Sequence, residues 1–521
     1  MMWLAAAVSA TVACGTIGSA EEPISGFRIA EPQLGTSRET TEYYQSIPTV
    51  ESESEAGFEV PRATTSGGLL ELSAESTGNV ACASGCRCAK CDKAKMAALK
   101  KKAATSHRPV FYDNDFSYLN DPCWNECLLG DRFKQLDVHC GKLDVGGQFR
   151  LRYHHEEGMN KGAAERFQPT TDDFLLERLR LYANYRRDFY RVFVEGIFAD
   201  SSFHSLPPRG IDRNHGDFLN LFLDVDVTQE LTMRVGRQEL IYGNQRLVSP
   251  LDWANTRRTF EGVKGIWKHD DLRVDAFWTS LVDTRPFELD QADWKQQFYG
   301  MYAVYNLTDK DALDLYYLGY DNHDLLFSIH TFGARLNGSQ DEWLYEVEGA
   351  YQGGDAAGAN VDQSAGFVTV GLGRKLKRMP WDMTLWGYFD YASGDVPGGD
   401  FTGFNHLFPL AHKYLGFIDA VQRSNIQSPN LLLTMNPTEK WNLLFWYYVF
   451  QSDTTAPVPS VGGTPSQNAG RNFGQELDIL ATYKISPRSD LQFGWSHLWR
   501  GSKINNPRDA DFTYVQWVLN F

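Results

Sequence analysis

The stretch RLRLYANY, Arg178 to Tyr185, places Leu179, Leu181, Ala183 and Tyr185 on one face of an extended chain. Arg178, Arg180, Tyr182 and Asn184 fall on the other. Successive side chains of a strand point to opposite faces, so a two-residue period of this kind predicts a β-strand. The pattern returns in LRVDAFWTSLV, Leu272 to Val282, where Leu272, Val274, Ala276, Trp278, Ser280 and Val282 oppose Arg273, Asp275, Phe277 and Thr279. Residues 220–225, 431–435, 441–449 and 475–483 repeat it. From about Leu143 to Phe521 no 3.6-residue stripe of comparable length interrupts these segments, which turn signals separate.

Strands of this type build a sandwich or propeller in water, or a barrel in lipid. The apolar faces carry Trp and Tyr near strand ends, as in the aromatic girdles of membrane barrels. The last residues, Thr513, Val515, Trp517, Leu519 and Phe521, are apolar at nearly every second position and end on an aromatic. That strand resembles the signal read by the outer-membrane barrel assembly machinery. With about 9–11 residues per strand plus turns and loops, the region predicts an all-β, transmembrane antiparallel barrel of about 16–18 strands. A wall that wide predicts an aqueous lumen rather than a packed core. YQGGDAAGANVDQ, SGDVPGGDFTG and DTTAPVPSVGGTPSQ read as long extracellular connections.

Composition agrees. The 521 residues include 14 Trp, 24 Tyr, 32 Phe and 45 Gly, and the mean hydropathy is −0.39. After residue 20 no apolar run approaches the roughly 18 residues of a membrane helix. A net charge of −16 argues against nucleic acid, which demands a basic face.

Residues 1–20 read as a secretory signal peptide with small residues Gly18 and Ala20 ahead of Glu21 and Glu22, although no Lys or Arg precedes the apolar core. Lipoprotein processing at Cys14 is the weaker alternative. Residues 21–78, rich in Ser, Thr, Glu and Gly, predict a flexible leader. Residues 79–140 form a Cys-rich periplasmic module, and 141–521 the barrel. Cys82, Cys86, Cys88, Cys91, Cys123, Cys127 and Cys140 are disulfide candidates with one thiol left over. A zinc-type knuckle on Cys88, Cys91, Cys123 and Cys127 is the lesser reading. Asp92 stands where a haem-attachment motif requires His, and no cofactor is implied.

The densest polar run is RVGRQELIYGNQRLVSPLDWANTRRTFEGVKG, Arg234 to Gly265. Its GRQEL, GNQRL, PLDWANTRRTF and EGVKG segments resemble the signature of the alginate-export family of outer-membrane porins, a likeness that extends loosely from about Leu143 to the C-terminus and leaves the Cys-rich module outside. The resemblance implies an 18-stranded barrel with an arginine-rich constriction for a polyanionic uronate polymer, and loops or turns able to close the lumen.

The residues themselves supply candidates for the pore lining. Arg178, Arg180, Arg191, Glu195 and Arg273 fall on polar strand faces. Arg234, Arg237, Gln238, Glu239, Arg246, Asp252, Asn255, Arg257, Arg258 and Glu261 come from the motif. A planar guanidinium binds a carboxylate bidentately, whereas lumenal Arg–Glu and Arg–Asp pairs also serve simply as braces. Trp253 and Phe260 read as packing residues. His154-His155-Glu156-Glu157 reads as a charged strand end, and GWSHL lacks the last Gly of a nucleophile elbow; nothing points to an enzyme. The sequence therefore predicts a passive outer-membrane conduit for an anionic, alginate-like polysaccharide. Its alternatives are a general or anion-selective porin for small solutes and a plugged structural or adhesive barrel. Outer-membrane lipid, the assembly machinery and periplasmic secretion proteins are the expected partners.

Overall fold

Inside a bilayer every backbone amide and carbonyl must pair within the protein, which leaves strands no option but closure. A computed structural model, which describes residues 91–521 except 163–164, 357–360 and 507, shows how closure is reached. Eighteen antiparallel strands run from Gly141–Glu157 to Ala510–Asn520, each paired with its sequence neighbours. The last pairs with the first in a register that sets Thr513 opposite His155 and Leu519 opposite Phe149. A short strand, Leu136–Val138, folds against the start of the first. Among the described residues no helix is long and apolar enough to cross a membrane.

The two-residue period sorts the faces as the sequence predicts. Leu181 is exposed on the outer wall, and Arg178 and Arg180 are buried on the inner. On Trp343–Asp355, Val347 and Tyr351 face outward while Glu346 and Glu348 are buried inside. Outward Trp343, Trp441 and Tyr305 lie near the short turns, which mark the periplasmic end of such barrels. Trp278 and Trp294, in contact at 5.2 Å, stand toward the opposite rim.

The lumen differs from the aqueous channel expected. Residues 239–259, 401–425 and 453–471 leave the wall and fold inward. Their Leu240, Leu247, Trp253, Phe408, Phe417, Val421 and Val458 join inner-wall aromatics such as Phe298, Trp446 and Tyr514 in one buried apolar cluster. Strand number fixes the width of a wall and not what fills it. The predicted loops behave accordingly: Tyr351–Asp355 and residues 362–363 continue strands, and the chain after SGDVPGGDFTG turns into the barrel. Gly416 fixes one point of insertion. Its φ is +88°, and a Cβ there would stand 2.5 Å from the Glu476 carboxyl carbon, while the next two amides, Phe417 and Ile418, donate to Asp478 (3.2 Å) and Glu476 (2.8 Å).

The described part of the Cys-rich module closes over the short-turn end. Helix Lys93–Ala104 is capped by Asp92, whose side chain accepts from the Lys95 amide. Cys91 and Cys123 form a disulfide, which overturns the zinc reading for those two sulfurs. Cys127 is also disulfide-bonded and Cys140 is a free, exposed thiol. The signal peptide, the leader and Cys82, Cys86 and Cys88 lie outside the described residues. Phe111, Tyr112, Phe116 and Tyr118 share a buried cluster with the lumenal rings Tyr182, Phe193 and Phe222. Arg488, in a periplasmic turn, secures the module by donating to Ala103 O and Ser106 Oγ (both 2.8 Å), Tyr118 Oη (2.6 Å) and Asp131 Oδ1 (3.0 Å).

Two outcomes follow. Val370, outward and 45% exposed, replaced by Arg should lower the stability of the barrel folded in vesicles by about 2–4 kcal/mol in a urea titration. Arg488→Ala strips the buried Asp131 carboxylate of its ion-pair partner, a loss of about 3–5 kcal/mol of docking. Protease cleavage at the lysines of the helix should accelerate at least about tenfold while the barrel keeps its heat-modifiable gel migration; unchanged cleavage would show that docking does not rest on this residue.

Candidate functional site: the lumenal arginine cluster

Arg150 and Arg152 alternate with Phe149, Leu151 and Tyr153 on the first barrel strand, and Arg178 and Arg180 on its neighbour Thr171–Arg187. The register sets Arg150 directly opposite Arg178. Like charges facing each other across a strand pair are destabilising, so shared acceptors are required. The inserted segment 252–255 supplies them. Arg150 donates to Asp252 O (2.7 Å), Trp253 O and Ala254 O (both 3.1 Å). Arg178 donates to Asp252 O (2.9 Å), Ala254 O (3.1 Å) and Asp252 Oδ1 (2.8 Å). Arg152 donates to Trp253 O (2.8 Å) and lies 3.5 Å above the Trp253 ring. Asn255 receives Arg150 and donates to the carbonyls of Glu177, Asp200 and Asp212, pinning the turn to the wall.

Arg180 donates to Glu195 Oε1 (2.6 Å), and Arg257 pairs with Glu239 and Asp252. Asn220 bridges Glu195 and Glu239 at 2.9 and 3.0 Å. Five buried guanidiniums thus meet three carboxylates, and both terminal nitrogens of Arg180 lack a hydrogen bond. The excess positive charge is held away from water, where an uncompensated charge is costly. Burial, then the nearby Arg180, pulls Arg257 down to about 9. Deeper in the plug, burial drives His412 down to about 4 despite Asp419 at 3.0 Å, and Lys161, which pairs with Asp419, down to about 8.

The other candidates divide between smaller sites. Arg246 pairs with Glu346 (2.7 Å) and Glu348 (2.9 Å), and its guanidinium lies 4.4 Å from the Tyr414 ring. Arg191 and Arg234 share Asp224, and Arg273 pairs with Asp275. Arg258 donates to Pro409 O. Gln238 is buried on the inner wall, and Trp253 and Phe260 pack in the apolar cluster. Arg237 and Glu261 depart from the pore-lining expectation. They share the outward face with Val235 and Val263 and pair with each other at 3.3 Å, Arg237 also reaching Asp217 at 3.1 Å. The reason is parity: Arg237 is three residues from Arg234, so one strand cannot turn both inward.

Arg150 and Arg152 were missed, although QFRLRYHHEE carries the same alternation as RLRLYANY. Also missed were Arg335, which pairs with Asp314 and Glu346, and the module's Phe111 and Tyr112. Only spatial neighbours distinguish these last residues.

The chain matches the Alginate export family over residues 142–517; no curated protein matches it. Among solved structures, Pseudomonas aeruginosa OpdK with vanillate is similar at 12% identity, covering 73% of this chain and 98% of that one, with a TM-score of 0.52. P. aeruginosa OpdQ is 13% identical, covering 73% and 97%, with a TM-score of 0.51. P. aeruginosa OccK8 (OprE) is 11% identical, covering 73% and 98%, at 0.51. These likenesses are of fold. The family match spans most of the chain and the wall is a closed barrel with an apolar outer face, so the protein is an outer-membrane porin of a Gram-negative bacterium and belongs to the Alginate export family.

Proposed function

We propose that the barrel passes an anionic polysaccharide, a polyuronate of the alginate kind, from periplasm to surface by passive diffusion. The observation that carries this reading is the buried cluster of Arg150, Arg152, Arg178, Arg180 and Arg257, richer in positive charge than its carboxylates compensate. A uronate carboxylate offers these guanidiniums the acceptors that the Asp252–Ala254 carbonyls and the Asp252 side chain now provide. Repeated, individually modest contacts along the wall let a polymer move without being trapped. The inserted segments must yield for passage, so the arginines act both as braces of the closed form and as selectors of the open one. Periplasmic secretion proteins would deliver the polymer, and the barrel assembly machinery would insert the chain.

The test is current through the refolded protein in a planar bilayer, with reversal potential under a salt gradient and added polyuronate. Anion selectivity and block by polyuronate are expected. The pair Arg178→Ala and Arg180→Ala should weaken block about tenfold or more, because hydrogen bonds to charged groups contribute roughly 1.5–3 kcal/mol each. Arg237→Ala, on the outer wall, should leave block unchanged. Block by small carboxylates alone would favour the small-solute porin. Cation selectivity, or a closed barrel indifferent to polyuronate, would sink the export reading.

A further inference from the structure

The segment of the module that enters the barrel, residues 109–113, sits where the inner wall combines aromatic rings with arginines. Phe111 lies under the Arg180 guanidinium at 3.8 Å and against Tyr182 at 5.2 Å. The Tyr112 ring meets Phe193 at 5.8 Å and Phe222 at 5.4 Å, with the Arg234 guanidinium 4.4 Å from its centroid. Its carbonyl accepts from Arg191 (2.9 Å) and Arg186 (3.3 Å), and its hydroxyl donates to Glu239 O (2.7 Å). Pro109 O accepts from Arg257 (3.0 Å). The finger therefore touches the inserted 239–257 segment and the wall at once.

Arg191 and Arg234 both pair with Asp224, and the finger's own Asp113 adds the field of a second carboxylate to both. The Tyr112 carbonyl and ring, with the Asp113 carboxylate, meet part of what Asp224 leaves over. Remove the finger, and the same surface presents positive charge beside the flat rings of Phe193 and Phe222, with Arg234 stacked 3.8 Å over Phe222. A uronate residue offers a carboxylate to a guanidinium and the apolar face of its ring to an aromatic side chain, and both kinds of partner stand here side by side.

We propose that this seat, formed by Arg180, Arg191, Phe193, Phe222 and Arg234, is the periplasmic receiving site for an anionic sugar, and that Phe111 and Tyr112 occupy it as an in-chain competitor. The proposal rests on the reading of the barrel as a conduit for anions. Finger and solute bind one surface, so a solute that prefers the vacated seat shifts the population toward the unseated finger in proportion to that preference. The finger comes from the segment outside residues 142–517, so this closure belongs to the chain's own N-terminal addition.

The experiment uses the full refolded chain carrying Tyr112→Cys and Cys140→Ser, with maleimide labelling at residue 112 read by peptide mass spectrometry. Labelling should be slow in the folded protein and rise about tenfold with saturating oligogalacturonate, not with a neutral maltooligosaccharide. Val110→Cys, also buried, repeats the measurement where Tyr112→Cys alone unseats the finger. In bilayers, Phe111→Ala with Tyr112→Ala should raise conductance and tighten oligogalacturonate block, and adding Arg234→Ala should cancel the tightening. Labelling indifferent to oligogalacturonate at both positions would overturn the proposal; wild-type block by polyuronate in the same preparation would then leave the conduit reading standing. A finger-less channel indifferent to oligogalacturonate would overturn the ligand class, and equal indifference of the wild type would remove the conduit reading as well.

Discussion

Lipid forbids unpaired backbone, and the rest of the molecule follows from how this chain meets that rule. Once Ala510–Asn520 closes on Gly141–Glu157, every wall residue is committed to one of two solvents. Outward positions are drawn to Leu, Val, Phe and Trp by the hydrocarbon. Inward positions are relieved of that demand and can carry charge, and this chain uses the freedom heavily: Arg150, Arg152, Arg178, Arg180 and Arg246 are among its most deeply buried large side chains. Such burial is tolerable only where acceptors are close. The inserted segments answer that need, so wall and plug are mutually dependent.

The arithmetic of donors explains why main-chain carbonyls matter as much as acids. A guanidinium offers five N–H donors, and three carboxylates cannot meet five such groups held side by side. The turn at 252–255 aims successive carbonyls at Arg150, Arg152 and Arg178. Asn255 holds that turn to the backbones of two wall strands and the loop between Ser202 and Asn214. Carbonyls neutralise no charge, however. The cluster therefore keeps its positive excess with the plug in place, which is the property the proposed anionic solute would use.

Much of this was legible in the sequence, because alternation is a local property. RLRLYANY assigns Arg178 and Arg180 to the inner wall without reference to any other strand, and the same reading of QFRLRYHHEE would have found Arg150 and Arg152. Parity alone would also have turned Arg237 outward. What alternation cannot carry is the path of a chain that has left the wall. PLDWANT has no strand period, and its placement against Arg150 depends on contacts about a hundred residues away in sequence. The finger is harder still. VFYDNDF resembles any short aromatic segment, and only the positions of Phe193, Phe222 and Arg234 on three separate strands make a seat for it.

A filled lumen is compatible with the proposed transport because of what fills it. An apolar plug locked by unique packing would have to be unfolded to open. Here the arginines are held by hydrogen bonds to carbonyls and to Asp252, and in the proposed transport a carboxylate-bearing solute would replace those acceptors. In that proposal, exchange of equivalent acceptors would keep the difference between closed and open forms small, which is the condition under which modest differential affinity shifts a population. The apolar part of the plug, around Leu240, Trp253 and Phe408, packs against wall aromatics such as Phe298 and Tyr514, so the proposed passage also has to part this apolar contact. On the proposed function, selectivity would arise from the same source as closure: a solute without carboxylates has nothing to offer the arginines in return, and the segment 252–255 would remain their better partner.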